Sequence, residues 1–383
     1  MQNICTQIKK RFFKIMKILI LTGSFFPAQE GGPTNAVYWL ASGLASCGYK
    51  VHVIANTKGL PEGIKINEWT NLNGFKVIYC SLGKGHNVVK KELLESECLI
   101  RSGVCHVQTH LSNLSYLKSG KKLILSPRGE LFYPAIYHKG RWFGTLKLLF
   151  LKFMGLLYGK RIIYHATSLE EKKQIHKIFG RSCRVFIAPN YMILPAYIEE
   201  ERKEQYKDFV YVGRIAKIKA LDKLIKALSI STLFRSSSCN LNIIGDAKGD
   251  YYNRLITLIE ELDLKTKVRF LGVITGKEKN RLIANSRYLL LVSESENFGN
   301  VVIEAIAQGT PVIASKGTPW SELAKHNAGY WCSNTPENLA MVIDSALSIK
   351  KEDYFRQRDN AYKFSKKFDI YSNMEIWKSN IEH

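Results

Sequence analysis

The run Ser293-Glu294-Ser295-Glu296-Asn297-Phe298-Gly299-Asn300-Val301-Val302-Ile303-Glu304 lies between two short apolar segments and decides how the rest of the chain is read. Tyr288 to Val292 reads as a strand, 293–299 as a polar loop, and 300–308 as a helix. Gly309 supplies a left-handed cap, and Thr310-Pro311 bars the helix from continuing. The loop therefore opens from the carboxyl end of a strand, and Gly299 lets backbone approach a ligand closely. Free N–H groups at such a helix start favour an anion. Glu296 precedes that start and Glu304 lies one turn inside it. Two carboxylates around a phosphate-ready backbone suit a ligand that carries both phosphates and hydroxyls, such as a sugar nucleotide.

Working outward, short apolar runs alternate with helical stretches along the whole chain. In the first half the expected strands are 18–21, 51–55, 77–80, 104–108, 123–126 and 162–167, with helices at 33–46 and 141–158. The pattern restarts after Pro189 with strands at 209–212, 241–244, 268–271, 288–292 and 311–314. Strands separated by helices imply parallel, doubly wound sheets. At 383 residues, two such domains are expected. The boundaries read as 16–190, 191–365 and a C-terminal helix within 366–383 that crosses back to the first domain. Ligands then bind in the crevice at the carboxyl ends of the strands.

Charge divides at the same place. Residues 1–190 hold 28 Lys and Arg against 9 Glu and no Asp, a net +19; residues 191–383 hold 28 against 24 acids, a net +4. An excess on one half attracts phosphorylated substrates or an anionic membrane surface. Nucleic-acid binding would call for a recognised motif or charge on both halves, and neither is present. The eight cysteines show no Cys-x-x-Cys pair and no metal-ligand spacing, and read as buried thiols of a cytoplasmic protein. No apolar stretch is long enough to span a bilayer, and no signal peptide follows the basic residues before Met16, itself a candidate start. Residues 139–161 mix Trp142, Phe143, Phe150 and Phe153 with lysines and arginines at helical spacing. Such a helix can pack on a sheet or press on an anionic membrane.

A second constellation lies at Phe209-Val210-Tyr211-Val212-Gly213-Arg214, with Lys219 five residues further on. Two cations on a strand-to-helix turn can clamp a diphosphate. Further pieces are Gly31-Gly32-Pro33, Ser126-Pro127-Arg128-Gly129, Ala166-Thr167-Ser168 with Glu170, Ala188-Pro189-Asn190 and Phe270-Leu271-Gly272. The set closes with Gly309-Thr310-Pro311-Val312-Ile313-Ala314-Ser315. In this order they resemble the retaining glycosyltransferases of family 4, in the branch of bacterial surface-polysaccharide synthesis. The resemblance covers about 17–380.

It implies the GT-B fold, two Rossmann-like domains facing across a cleft. It also implies transfer of a hexose from a UDP- or GDP-linked donor to a saccharide acceptor, lipid-linked at the inner membrane surface. Glu304 resembles the carboxylate that takes the ribose hydroxyls, and Glu296 the one that holds hydroxyls of the donor sugar. The backbone of Phe298, Gly299, Asn300 and Val301 would meet the sugar or distal phosphate. Arg214 and Lys219 would neutralise the departing diphosphate, and Gly31 and Gly32 would let the first-domain loop come close to it. His110, expected on a loop after a 104–108 strand, matches a histidine near the transferred sugar; the plainer reading is a satisfied loop histidine. Arg128 and Asn190 join the donor-contact candidates.

The same resemblance implies front-face attack with retention, so that Glu296 positions the sugar and does not attack it. With two cations at the leaving group and no Asp in the first half, no metal and no cofactor are expected. The chain departs from the family pattern at Ala220, at Gly245-Asp246-Ala247-Lys248, at Tyr191 and at Asn297. A transferase acting on a soluble acceptor and a sugar-nucleotide epimerase are the alternatives within the fold.

Overall fold

The computed structural model describes residues 15–28, 32–81, 85–105, 107–198 and 206–383. The first domain carries β1 (Lys17–Leu21), β2 (Lys50–Asn56), β3 (Thr70–Leu72), β4 (Phe75–Cys80), β5 (Cys98–Ser102), β6 (Lys122–Ser126), β7 (Ile162–Ala166) and β8 (Arg184–Ile187). They pair in the order β3-β4-β2-β1-β5-β6-β7-β8, parallel except for the edge strand β3. Strands such as β1 and β7 are buried at every position, as expected where helices cover both faces of a parallel sheet.

The second domain repeats the plan with β9 (Phe209–Val212), β10 (Leu241–Ile244), β11 (Val268–Gly272), β12 (Tyr288–Leu291), β13 (Val312–Ser315) and β14 (Gly329–Cys332). Their order is β11-β10-β9-β12-β13-β14, all parallel. The winding reverses between β9 and β12, and also between β1 and β5. Those switch points are where open α/β sheets leave a crevice.

One expected strand is displaced. Residues 104–108 do not form a strand; the fifth strand is Cys98–Ser102, and a helix runs from Val107 to Lys118. The apolar trio Cys98-Leu99-Ile100 is fully interior and pairs with Ile18 to Ile20. Gly103, at φ 96°, turns the chain away from the sheet immediately afterwards. Three strands stand outside the sequence expectation: the short polar edge strand β3, and the apolar β8 and β14, which at four residues are too short to show a period.

Two crossings join the domains. Met192 and Asp369 form an isolated parallel bridge, with Met192 N–H donating to the Phe368 carbonyl at 2.9 Å and Ile370 N–H to the Met192 carbonyl at 2.9 Å. Beyond that bridge the chain returns to the first domain, where Ile370, Met374, Trp377 and Ile381 are buried with Ile18, Leu40 and Leu44. Gly43 leaves the room: a Cβ there would meet Ile370 and Met374 side chains at 2.6 Å.

The helix Arg141–Tyr158 buries Leu151, Met154 and Tyr158 while leaving much of its apolar surface outside. No helix among the described residues is long and apolar enough to cross a membrane.

Candidate active site

Both second-domain site loops leave the sheet at its switch point. β9 ends in Gly213-Arg214, and β12 leads into 293–299 on the adjoining strand. Adjacent strand ends thus bring residues about eighty positions apart into one place. Lys219 Nζ forms an ion pair with Glu296 Oε2, both side chains largely withdrawn from solvent. Lys223 holds Glu294 at 2.6 Å, which keeps that carboxyl below its usual range. The Arg214 guanidinium is exposed at the rim, while its carbonyl accepts the Tyr211 hydroxyl at 2.8 Å.

Gly299 has φ 81°, and a Cβ there would meet Leu291 at 2.8 Å and Glu296 at 3.3 Å. Only glycine lets this loop turn so tightly over the strand end. Among the described residues nothing accepts a hydrogen bond from the amides of Phe298, Gly299 and Asn300. The following helix is shorter than expected, Val301–Ala307. Phe298 is itself a buried anchor, its ring 5.1 Å from that of Trp320, and the Trp320 indole N–H donates to the Phe298 carbonyl. It offers backbone only.

Glu304 meets a partner that sequence reasoning missed. Lys279 Nζ, on the helix Gly276–Ala284 after β11, lies 2.8 Å from Glu304 Oε2. A lysine in a stretch rich in lysine carries no local signal, and only the packing of that helix against 301–307 singles it out.

The first domain supplies the opposite wall. Arg128, at φ 49°, is buried, and burial pulls its guanidinium down to about 10 although Glu171 opposes the shift. Its Nη1 donates to Asn190 Oδ1 at 3.0 Å; Asn190 Nδ2 donates to Asn300 Oδ1 at 3.0 Å; Asn300 Nδ2 donates to the Gly32 carbonyl at 3.0 Å. This chain of amides runs from the first domain to the second and back. Beside it Thr167 Oγ1 lies 3.3 Å from Asn297 Oδ1, and a Cβ on Gly129 would meet Asn297 Cβ at 2.9 Å. Asn297, a departure from the family pattern, thus makes a contact between domains that glycine could not make.

The carboxylate organising this wall is Glu171; its neighbour Glu170 is exposed. Glu171 accepts from Gly129 N–H at 2.6 Å and from the Thr167 N–H and hydroxyl at 2.7 Å. Burial raises its pKa, against the pull of those donors and of Arg128.

Together these walls enclose a cleft of about 610 Å³, lined among others by Gly32, Arg128, Asn190, Arg214, Lys219, Lys279, Glu296 and Glu304. A smaller hollow of about 400 Å³, at the amino ends of the second sheet, contains none of them. Its Arg287 is spent on the Ala346 and Leu347 carbonyls and lies over the Tyr354 ring.

Two candidates do not join the cleft residues described here. His110 is on a helix, not a loop, and is fully buried. Its Nε2 donates to the Val104 carbonyl at 2.6 Å, its Nδ1 accepts the Tyr158 hydroxyl, and burial lowers its pKa. A neutral imidazole with both nitrogens engaged has no atom to offer a sugar. Its displacement follows from the strand lying six residues earlier than expected. Gly31 lies outside the described residues. Tyr191, beside Asn190, packs on the first-domain core.

Comparison with known proteins agrees with this geometry. Residues 196–364 match the family model described as glycosyl transferases group 1. An uncharacterised glycosyltransferase of Methanocaldococcus jannaschii is 23% identical over 87% of this chain and 89% of its own length. The chain is a hexosyltransferase of the GT-B fold. It is also 34% identical to an O-antigen chain mannosyltransferase of Salmonella typhimurium, over 35% of this chain and 36% of that one. Among solved structures, Anabaena HepE in complex with UDP superposes with a TM-score of 0.74 at 19% identity, over 96% of this chain and all of that one.

Proposed function

We propose that this glycosyltransferase takes a hexose from a UDP- or GDP-linked donor and transfers it, with retention and without a metal, to a lipid-linked saccharide in bacterial surface-polysaccharide synthesis. The observation that carries the reading is the pair of carboxylate–lysine couples, Lys219–Glu296 and Lys279–Glu304, in one cleft at the switch point. The O-antigen relative supports the polysaccharide setting, and the UDP held by HepE supports a nucleotide diphosphate in this cleft.

In this reading the nucleotide lies along the second domain, with its ribose hydroxyls on Glu304 and its diphosphate between Arg214, Lys219 and the unbonded amides of 298–300. The anomeric carbon–oxygen bond to the phosphate breaks through an oxocarbenium-like state, and the electron pair goes to the phosphate oxygen. Fixed cations at that oxygen stabilise the charge as it grows, a contribution on the order of 3 kcal/mol per well-placed donor. The acceptor hydroxyl bonds to the anomeric carbon on the face just vacated, and its proton passes to the departing phosphate. Glu296 holds the sugar, and its ion pair with Lys219 orients it. Arg214 and Lys219 supply the charge that a divalent ion would otherwise bring.

The test is a thermal-shift panel of UDP, GDP, ADP and CMP without metal, repeated with Glu304→Ala. A ligand at about a hundred times its Kd stabilises by roughly 2.7 kcal/mol. The expected result is a shift with UDP or GDP alone that Glu304→Ala abolishes. No shift with any nucleotide, with or without magnesium, would sink the reading.

A further inference from the structure

The helix Arg141–Tyr158 has a buried side and an apolar outer side. Trp142, Leu146, Leu149, Phe153 and Leu156 recur at spacings of four and three, and each is between 47% and 81% exposed. At about 100° per residue these positions fall in one stripe along the helix, not scattered around it. A stripe of large apolar side chains left open to water is costly, and it marks a surface that something covers. The inner side is held firmly: a Cβ on Gly144 would overlap the Tyr137 ring at 2.1 Å, and one on Gly155 would meet Phe179 at 2.9 Å. The helix is therefore a fixed part of the domain, and its apolar stripe is presented outward by close packing beneath.

The charge around the stripe identifies the occupant. From Lys139 to Arg181 the chain carries ten Lys and Arg against two Glu. Arg141 and Lys152 lie on one flank of the stripe, Lys160 and Arg161 at its end, and all four are exposed. Apolar side chains bordered by cations, with no acid on the helix, complement an anionic lipid surface, where tails take the stripe and headgroups take the charge.

The stripe is also joined to the cleft. The short helix Tyr133–Ile136 follows Phe132, and Phe132, Pro134 and Ala135 line the cleft. On its other side Tyr137 packs on Gly144, and Lys147 Nζ donates to the Ala135 carbonyl at 3.3 Å. Tyr133 itself is 64% exposed beside Tyr137. The first-domain wall of the cleft is thus continuous with the outward apolar helix.

We infer that the helix Arg141–Tyr158 lies in the surface of an anionic bilayer and that the cleft opens beside it, so that a lipid-linked acceptor enters along 132–135. The inference rests on the lipid-linked reading of the acceptor, but its surface is tested without any transfer. The full chain is spun down with vesicles of phosphatidylcholine alone and with vesicles containing phosphatidylglycerol, while tryptophan emission is followed. The expected result is binding to the anionic vesicles, weakened by salt, with a blue shift that Trp142→Phe diminishes. The triple variant Trp142→Ser, Leu149→Ser, Phe153→Ser then loses partition by about tenfold or more, while its nucleotide-induced thermal shift stays as in the wild type.

Equal pelleting of wild type and triple variant, or no pelleting of either, overturns the inference. A dimer in sedimentation velocity that the triple variant dissolves, without vesicle binding, overturns it too, because the stripe then meets a second copy. Transfer confined to soluble acceptors, together with stripe-dependent vesicle binding, would overturn the acceptor reading and leave the membrane face standing.

Discussion

Lys279 and Glu304 face each other at 2.8 Å on two helices that no sequence spacing relates. If Glu304 takes the ribose hydroxyls, Lys279 holds that carboxylate in place, and acts through it on donor binding. Lys279→Ala is then expected to raise the donor KM by roughly five- to tenfold with kcat nearly unchanged, the pattern of lost uniform binding. Initial rates over donor concentration decide it; a fall in kcat at constant KM points to a different role. His110 makes the opposite case. Its hydrogen bonds to Val104 and Tyr158 are internal, so His110→Ala leaves the buried Val104 carbonyl without its donor and the Tyr158 hydroxyl, which still accepts from Asn113, without its acceptor. The expected cost is about 2–3 kcal/mol of stability, seen in a denaturant melt, with turnover per folded molecule unchanged. Glu296 and Glu304 were legible as residues because a loop and a helix start between two strands leave few positions for them. Lys279 was not, since a lysine acquires meaning only from what it reaches.

Among the elements, the amino end of β1 carries an ionic cluster away from the cleft, in which Lys17, His52 and Glu92 are buried and Glu95 is exposed. Lys17 lies 2.8 Å from Glu92 and 2.6 Å from Glu95, and His52 Nδ1 is 2.8 Å from Glu92. Burial pushes the Glu92 carboxyl up, but the hydrogen bonds and charges of His52 and Lys17 outweigh it and hold it below the usual range. A lowered folded pKa stabilises above the unfolded value and loses that contribution as pH falls through the folded one. Glu92→Gln should therefore cost about 3 kcal/mol at neutral pH. The gap between variant and wild type should narrow on acidification through the carboxylate range, as read from urea midpoints along a pH series. A gap independent of pH would mean that packing, not charge, is lost. Element boundaries were readable where an apolar run was bounded by Gly or Pro, as for 141–158 and 209–212. They differ at 104–108, where Cys105-His106-Val107-Gln108 alternates as a strand would, whereas the strand is Cys98–Ser102 with its interior trio Cys98-Leu99-Ile100.

For the whole molecule, what matters is how closely the two domains approach. Gly129 and Asn297 touch across the cleft, and a Cβ at Gly129, already at φ 88°, would come within 2.9 Å of Asn297. Gly129→Ala is expected to hold the walls apart and strain the loop. Transfer should fall by about tenfold or more for a displacement of this kind, while UDP or GDP binding to the second domain alone persists in the thermal-shift panel. Loss of both together would place Gly129 in folding.

The sequence by itself determined that there are two parallel α/β domains, because interior strands must be apolar and the segments between them must be helical. It also put Arg214, Lys219, Glu296 and Gly299 on the segments that follow two strands, because strand ends and turns restrict which residues can stand there. Only the tertiary structure decided that Asn190, Asn300 and Gly32 form one chain between the domains, that Lys279 answers Glu304, and that His110 faces inward. It alone showed that the helix Arg141–Tyr158 both packs on the domain and leaves an apolar stripe outside. The physical reason is the same in each case: periodicity and turn chemistry are local and written along the chain, whereas a partner across a cleft is set by packing.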